Sequence, residues 1–386
     1  MNDLHILADD LTGALDSAAA FAGGVPVFID APQPEMSASS PVSAVATGTR
    51  DVAIEALPGL LATSLPWFGA ARIAFKKVDS LLRGNSFAET AYVARAGGFR
   101  KLVFAPAFPQ QGRVTVDGRQ CVIAPGASFA DRQAVGAGSP ADAFAVLGLA
   151  VAAPDALPSD QLSVWIPDVR SDADLARVAA LSTQAETRRW LWCGSAGLAH
   201  AIAAHHSLAP DPSRVTFLDA IGGPVLLISA SHHPVVRQQW DSLKAAERGA
   251  IMALHGQPDR LRAAFRAMGQ PFDFALFDLS PGKVLPSAQA AALLARQLDG
   301  IVGASPHPAA LVVVGGDTLR ALCRAAGTCA LTAHASVRAG WGCARLVGGL
   351  WDGVPCYSRS GAFGDPDDLS TMLRQVARHT ATLKEQ

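Results

Sequence analysis

Short apolar, often β-branched runs alternate with Ala-rich stretches of helical period along almost the whole chain. That rhythm is made by βα units wrapped around a mostly parallel sheet, so the fold class is α/β. It predicts strands over 4–8, 25–29, 43–47, 72–77, 101–105, 163–166 and 190–193, with helices near 12–23, 51–64, 86–97, 172–185 and 195–207. The polar, proline-containing stretch Leu208–Pro224 breaks the pattern, and it resumes with strands near 225–229, 250–254, 273–278, 310–314 and 344–347 and helices near 234–247, 286–302 and 317–326. At roughly 150 residues per domain, a chain of 386 residues is long enough for two cores. We therefore expect two α/β domains with mostly parallel sheets facing across a cleft, residues 1–215 and 220–386. Between Pro106 and Pro140 the periodicity lapses among many Gly and Pro residues, which reads as a long loop or a hairpin excursion. Long loops in compact domains are usually functional or mobile.

Several function classes fall away on composition. With 32 Lys and Arg against 33 Asp and Glu the net charge is −1, and no basic stripe suits nucleic acid or an anionic membrane surface. The mean hydropathy of +0.24 comes largely from Ala, and no apolar run approaches the roughly 20 residues of a spanning helix. The amino terminus, MNDLHILADD, lacks the basic and apolar regions of a signal peptide, so a cytoplasmic address is expected. Six cysteines, at 121, 193, 323, 329, 343 and 356, form no CxxC pair or metal-ligand spacing and read as reduced, buried small hydrophobes. His200, His205 and His206 lie at helical spacings that put no two ligands on one face, which argues against zinc.

Chemistry concentrates where predicted strands end. After the first strand come Asp9 and Asp10, then Thr12 and Gly13 at a helix start. Adjacent carboxylates point to different sides, so one can face a ligand while the other caps the helix; capping by both is the plainer reading. After the fourth strand, Lys77, Asp79, Ser80, Arg83 and Asn85 fall within nine residues of a chain sparing with charge. Lys and Arg there suit an anionic substrate, Arg offering a bidentate grip on carboxylate or phosphate. A third polar tip, Gln110-Gln111-Gly112-Arg113, follows the next strand. Three such tips at strand ends converge on one crevice of an open α/β sheet.

In the second half, the strand ending in Ser229 runs through Ala230 and Ser231 into a helix with Pro234 near its start, where unpaired backbone N–H groups can hold a phosphate. Gly315-Gly316-Asp317-Thr318 closes another strand, its glycines allowing close approach of backbone to ligand. Ser358–Gly364 is a small-residue loop with one cation, Arg359. Neither a Walker A sequence nor GxGxxG occurs at these junctions, so any nucleotide site is of another kind; GxSxG is absent too.

Taken in order, these segments resemble the four-carbon acid sugar kinase family, two-domain enzymes that phosphorylate small sugar acids with ATP. The family's IADDLTGALD stands here as residues 6–16, its KxDSxLRGN as 77–85 and its PAFPxxGR as 106–113; its strand-SGS turn, GGDT and KSGxFG match 228–231, 315–318 and 359–364. Ala230 replaces a glycine, Arg359 replaces a lysine, and Gly118–Pro140 departs from the family's usual continuation. We expect that stretch to shape the substrate pocket.

The resemblance implies that the first half binds a sugar acid such as threonate, erythronate or 3-oxo-tetronate, and the second ATP with Mg²⁺. On that basis Arg83, Lys77 and Arg113 hold the substrate carboxylate, Ser80 and Asp9 help bind the substrate, and Asp10 or Asp79 orients the hydroxyl and acts as base. Ser229, Ser231, Gly315, Gly316, Asp317, Thr318 and Gly361 contact ATP, with Asp317 also a metal contact. A homodimer is compatible with the sequence. The competing readings are a nucleotide-dependent sugar-acid reductase, disfavoured by the missing GxGxxG, and a non-catalytic carboxylate-binding protein.

Overall fold

The computed structural model describes residues 4–124, 126–152, 161–220, 223–246, 251–252, 274–338, 340–361 and 364–382. The chain divides into two compact units, Met1–Asp211 and Pro212–Gln386.

In the first unit β1 (Leu4–Ala8), β2 (Val25–Ile29), β3 (Val42–Ala46), β4 (Ile73–Lys77) and β5 (Lys101–Ala105) are five-residue strands, all but the last residue of β2 buried. Near-continuous apolar runs are what a parallel strand covered on both faces requires. With β9 (Ala150–Val151), β10 (Ser163–Trp165) and β11 (Trp190–Gly194) they pair in the order β2-β3-β1-β4-β11-β5-β10-β9, every pair parallel. The lysines inside these strands are accounted for individually: Lys76, 1% exposed, is 3.0 Å from the buried Glu89 carboxylate, and Lys101 lies over the Trp190 ring.

β1 and β4 are neighbours, yet the connection from β1 leads to β2 on one side and that from β4 leads to β5 on the other. Connections that part in this way leave a crevice beyond the carboxyl ends of the two strands, where open α/β sheets take their ligands.

The second unit repeats the device. Its strands β12 (Val225–Ser229), β13 (Ile251–Met252), β14 (Phe274–Asp278), β15 (Ala310–Val314), β16 (Ala330–His334), β17 (Gly342–Val347) and β18 (Pro355–Arg359) are ordered β13-β14-β12-β15-β18-β17-β16. All pairs are parallel except the two made by β17. From β12 the chain heads towards β13, from β15 towards β16, so the crevice lies beyond Ser229 and Val314, which are paired in register. Trp240, Trp341 and Tyr357 anchor a core between the sheet and the helices Pro234–Ala246 and Asp368–Thr382.

Some expectations are corrected. The helix expected over 51–64 is a 3-10 turn at Ile54–Ala56 and two one-turn pieces, Leu57–Leu61 and Leu65–Gly69, because Pro58 and Pro66 can each begin a turn but not continue one. The helix expected over 12–23 stops at Ala18, ahead of Gly23 and Gly24, both at positive φ. The segment 106–140, expected as a long loop or a hairpin excursion, is the latter, built on a small three-stranded antiparallel sheet, β6 (Arg113–Val116), β7 (Arg119–Val122) and β8 (Gln133–Ala134). Asp117 and Gly118, both at positive φ, make its tight turn, and the Asp168 carboxylate accepts both their N–H groups at 2.9 Å. Five cysteines are buried as expected, but Cys329 is exposed. Of the strand expected over 250–254, the part beyond Met252 lies outside the described residues, as do Ala362 and Phe363 of the last loop. Among the described residues no helix is long and apolar enough to cross a membrane.

Candidate functional site

The crevice of the first unit is lined by residues from the carboxyl ends of β1, β3 and β4. Asp10 is the N-cap of the helix Leu11–Ala18: its carboxylate accepts the Gly13 N–H at 3.1 Å and the Thr12 hydroxyl at 2.5 Å. Asp9 turns the other way and is 3% exposed. The division of labour expected for adjacent carboxylates is therefore present, but what Asp9 faces is Arg50. The Arg50 guanidinium donates to both Asp9 oxygens at 2.8 and 3.0 Å and to Asp10 at 2.7 Å, and lies 3.7 Å from Asp79. Burial works to raise the Asp9 pKa, but Arg50, with Lys76 and Lys77 behind it, outweighs burial and holds the carboxyl below its usual range.

Asp79 is equally occupied. It accepts the Leu81 N–H at 2.8 Å and the Arg83 fork at 3.1 and 2.6 Å. Burial would raise its pKa; the Arg83 hydrogen bonds and the charges of Arg83, Lys77 and Arg50 bring it down to about 2. Asp10 and Asp79 both stand in the crevice, each carboxylate accepting three hydrogen bonds. Arg83 remains 42% exposed at its side chain, so the half of its fork not spent on Asp79 can meet a ligand.

The Lys77 ammonium makes no hydrogen bond or ion pair among the described residues, while its carbonyl accepts the Lys76 ammonium at 3.0 Å. The Lys77 ammonium lies over Gly13, where an added Cβ would come within 2.8 Å of Nζ and 2.4 Å of the Asp10 carboxylate. The glycine is what lets a lysine and a helix start share this space. Arg113 sits close enough to Asp79 and Arg83 to feel both; burial lowers its pKa most, Asp79 opposes and Arg83 adds to the fall.

Asn85 and Gly84 hold the Arg50 loop. Asn85 donates from its amide to the carbonyls of Thr49 and Val52, at 3.2 and 2.8 Å, and Gly84 has φ +71° with a Cβ position 2.5 Å from the Arg50 carbonyl. The Ser80 hydroxyl makes no hydrogen bond among the described residues, while its carbonyl accepts the Gln120 amide at 2.8 Å. Gln120, 1% exposed on β7, also takes the Thr115 hydroxyl at 2.8 Å, so the antiparallel hairpin grips the Asp79–Arg83 turn.

In the second unit, Ser229, Gly315 and Arg359 end the adjacent strands β12, β15 and β18, and the Gly315 N–H donates to the Arg359 carbonyl at 2.9 Å. The Ser231 N–H donates to the Ser229 hydroxyl at 3.3 Å, and Ser231 in turn accepts the His233 N–H at 3.2 Å. Gly361 abuts Ser231, its Cβ position being 2.7 Å from Oγ. Gly315 has φ +108° and leads into the helix Gly316–Ala326, whose first turn holds exposed Asp317 and buried Thr318. The turns expected to meet a nucleotide are therefore together, with two helix starts aimed at the same edge.

Arg359 is a correction. Its guanidinium, 2% exposed, pairs with Asp368 at 3.0 Å, donates to Gln239 and stacks on Trp341. Burial lowers its pKa to about 10, opposed by Asp368 and aided by Arg338. It is a cation of the core rather than one presented to a phosphate.

Sequence reasoning missed Arg50 and Gln120. Arg50 could have been found, because Gly48-Thr49-Arg50 follows a predicted strand as the other polar tips do. It also missed the Arg237 fork on Asp278, at 2.9 and 3.0 Å, beside Ser229 at the end of β14. Among the described residues no three His, Cys, Asp or Glu side chains converge as a metal site.

Comparison with known proteins bears on what this arrangement serves. The family model for a sugar-binding N-terminal domain matches residues 4–137. A D-threonate kinase of Cupriavidus necator is 30% identical over 385 residues, spanning 87% of this chain and 88% of that protein. A D-threonate kinase of Bordetella bronchiseptica is 29% identical over 418 residues, spanning 98% of each. The fold matches a crystal structure of a Salmonella typhimurium LT2 protein described as a tRNA synthase, with a TM-score of 0.70, 16% identity and 98% and 99% of the two chains covered. It also matches a Haemophilus influenzae protein, with a TM-score of 0.63, 14% identity and 97% and 99% covered.

Proposed function

The chain belongs to the four-carbon acid sugar kinase family, and on that premise we propose that it moves the terminal phosphoryl group of ATP to a hydroxyl of a four-carbon sugar acid of the threonate, erythronate or 3-oxo-tetronate type. The first unit takes the sugar acid and the second the nucleotide. The observation that carries this reading is the pair of chemically different crevices. One is a charged cluster in which the Lys77 ammonium makes no hydrogen bond or ion pair among the described residues, while the other offers small residues, hydroxyls and helix starts.

Lys77 and the outward half of Arg83 hold the substrate carboxylate, with Arg113 at the rim; Arg gives orientation by its planar fork and Lys a point charge. Asp10 and Asp79 keep these cations in place and meet the hydroxyl face of the sugar acid, while Arg50 keeps Asp9 ionised. In the second unit the N–H groups at the starts of the Pro234–Ala246 and Gly316–Ala326 helices receive phosphate oxygens, with Ser229, Ser231 and Thr318 donating hydroxyls and Gly315 and Gly361 clearing the approach. Mg²⁺ is usually held by one or two carboxylates together with substrate phosphates, so the Asp317 carboxylate at this edge would suit it without a dedicated cage. Bound there, the ion would neutralise charge building on the phosphates.

A coupled assay of ADP release with Mg-ATP against stereoisomers of threonate, erythronate and 3-oxo-tetronate, with branched and five-carbon acids as controls, tests this. Turnover on a four-carbon acid supports it. Silence on every acid, with no nucleotide bound in a thermal-shift titration, overturns it.

A further inference from the structure

A kinase site needs a group to accept the proton of the attacking hydroxyl, and each hydrogen bond donated to a carboxylate's ionised form makes it a weaker base. Asp9 takes two hydrogen bonds from Arg50; Asp10 takes Arg50, Thr12 and Gly13; Asp79 takes Leu81 and the Arg83 fork. Asp16 differs. It lies in the helix Leu11–Ala18 three residues beyond Gly13, on the same face, and is half-buried rather than sealed. No hydrogen bond or ion pair engages it among the described residues.

The elements around it are few. Its helix packs on β1, β2, β3 and β4 and on the helix Ala196–His205. β2 and β3 carry no titratable side chain, and His5 of β1 is hydrogen-bonded to the Trp67 carbonyl at 2.8 Å. That leaves Lys77 from β4, His200 from the neighbouring helix and Asp10 from its own helix start as the charged or titratable groups it feels. Burial raises its pKa above the usual carboxylate range and Asp10 adds to the rise, against the pull of Lys77 and His200. A more basic carboxylate within reach of the Lys77 charge is suited to receive a proton, whereas Asp79, at about 2, is a weak base.

Resting on the kinase reading above, we propose that Asp16 is the catalytic base. As the substrate hydroxyl oxygen bonds to the terminal phosphorus of the nucleoside triphosphate, its O–H bond breaks and the proton passes to an Asp16 oxygen. The bond from that phosphorus to the bridging oxygen breaks with its electron pair left on the diphosphate, and Asp16 then returns the proton to solvent. Lys77 holds the substrate carboxylate beside it.

The test is steady-state kinetics of Asp16→Asn and Asp16→Glu in the full-length protein, on whichever acid the wild type phosphorylates. A wild type that phosphorylates no acid would remove the kinase reading itself, and this inference with it, before any variant is compared. With an active wild type, Asp16→Asn should lose kcat by about 10²- to 10⁴-fold, keep KM for the acid within about threefold, and lose the rise of kcat with pH. Asp16→Glu should recover part of kcat with that limb displaced. Wild-type-like kcat in Asp16→Asn, or a rise in KM alone, would overturn the proposal, the second because it would make Asp16 a support for Lys77. Should Asp16→Asn lose its cooperative melting transition, Asp16→Glu decides: a pH profile superimposable on that of the wild type overturns the proposal.

Discussion

Arg50→Ala removes the guanidinium that joins three carboxylates, and its cost can be worked from the contacts. Asp9, 3% exposed, loses both its hydrogen bonds, and Asp10 loses one at 2.7 Å. Removing one partner of a buried pair costs about 3–5 kcal/mol, because a charge is left buried without compensation. Lys76 and Lys77 still act on Asp9, which places the expected loss at the low end, about 3 kcal/mol. For a unit of this size that is a fall in melting temperature of roughly 6–12 °C. The pH dependence has a definite sign. In the wild type the folded pKa of Asp9 is below 3.8, so its stabilising contribution is complete above that value and is lost as pH falls through the folded pKa. Without Arg50 the attraction that offsets burial is reduced to that of Lys76 and Lys77, so the folded pKa of Asp9 rises and the loss of stability is greater at neutral pH than in acid. Differential scanning calorimetry at pH 7 and pH 4, following the transition of the first unit, should show the larger destabilisation at pH 7. Equal losses at both pH values, or a loss under about 1 kcal/mol at pH 7, would refute the view that Arg50 neutralises a buried Asp9.

Gln120→Ala leaves the Ser80 carbonyl and the Thr115 hydroxyl without their partner, so stability should fall by about 1–3 kcal/mol and KM for the sugar acid should rise more than KM for ATP, checked by chemical denaturation and kinetics. Gly361→Ala puts a methyl 2.7 Å from the Ser231 hydroxyl, and nucleotide affinity by calorimetry should drop about tenfold, near 1.4 kcal/mol, with affinity for the acid unchanged. Arg359→Lys restores the residue type usual in the family yet cannot reproduce the fork shared by Asp368 and Gln239; the second unit should lose about 2 kcal/mol while nucleotide affinity stays within about twofold.

The parallel strands were legible because each is a short apolar run bounded by turn residues, and Val225–Ser229 and Ala310–Val314 fall where the pattern puts them. The strands Ala330–His334 and Pro355–Arg359 were not, since Thr332, His334, Ser358 and Arg359 interrupt their apolar character; Arg359 is tolerated in a strand through Asp368, Trp341 and Gln239, the last distant in sequence. The hairpin in the 106–140 segment carried a signal, Asp117-Gly118 between alternating residues, but the density of Gly and Pro left a long loop equally open. At the site, residue types at strand ends located both crevices. What they could not convey is which charges cancel: Asp9 and Arg50 are 41 residues apart, and only the fold shows that they are spent on each other, while the Lys77 ammonium and the Asp16 carboxylate make no hydrogen bond among the described residues.

Phosphorus NMR of the wild-type protein with Mg-ATP and a four-carbon sugar acid tests the central claim most directly, because it separates transfer from hydrolysis. The account predicts a new phosphomonoester resonance growing in step with ADP and absent when the acid is omitted. Inorganic phosphate appearing instead, or an unchanged ATP spectrum with both ligands shown to bind, would contradict it.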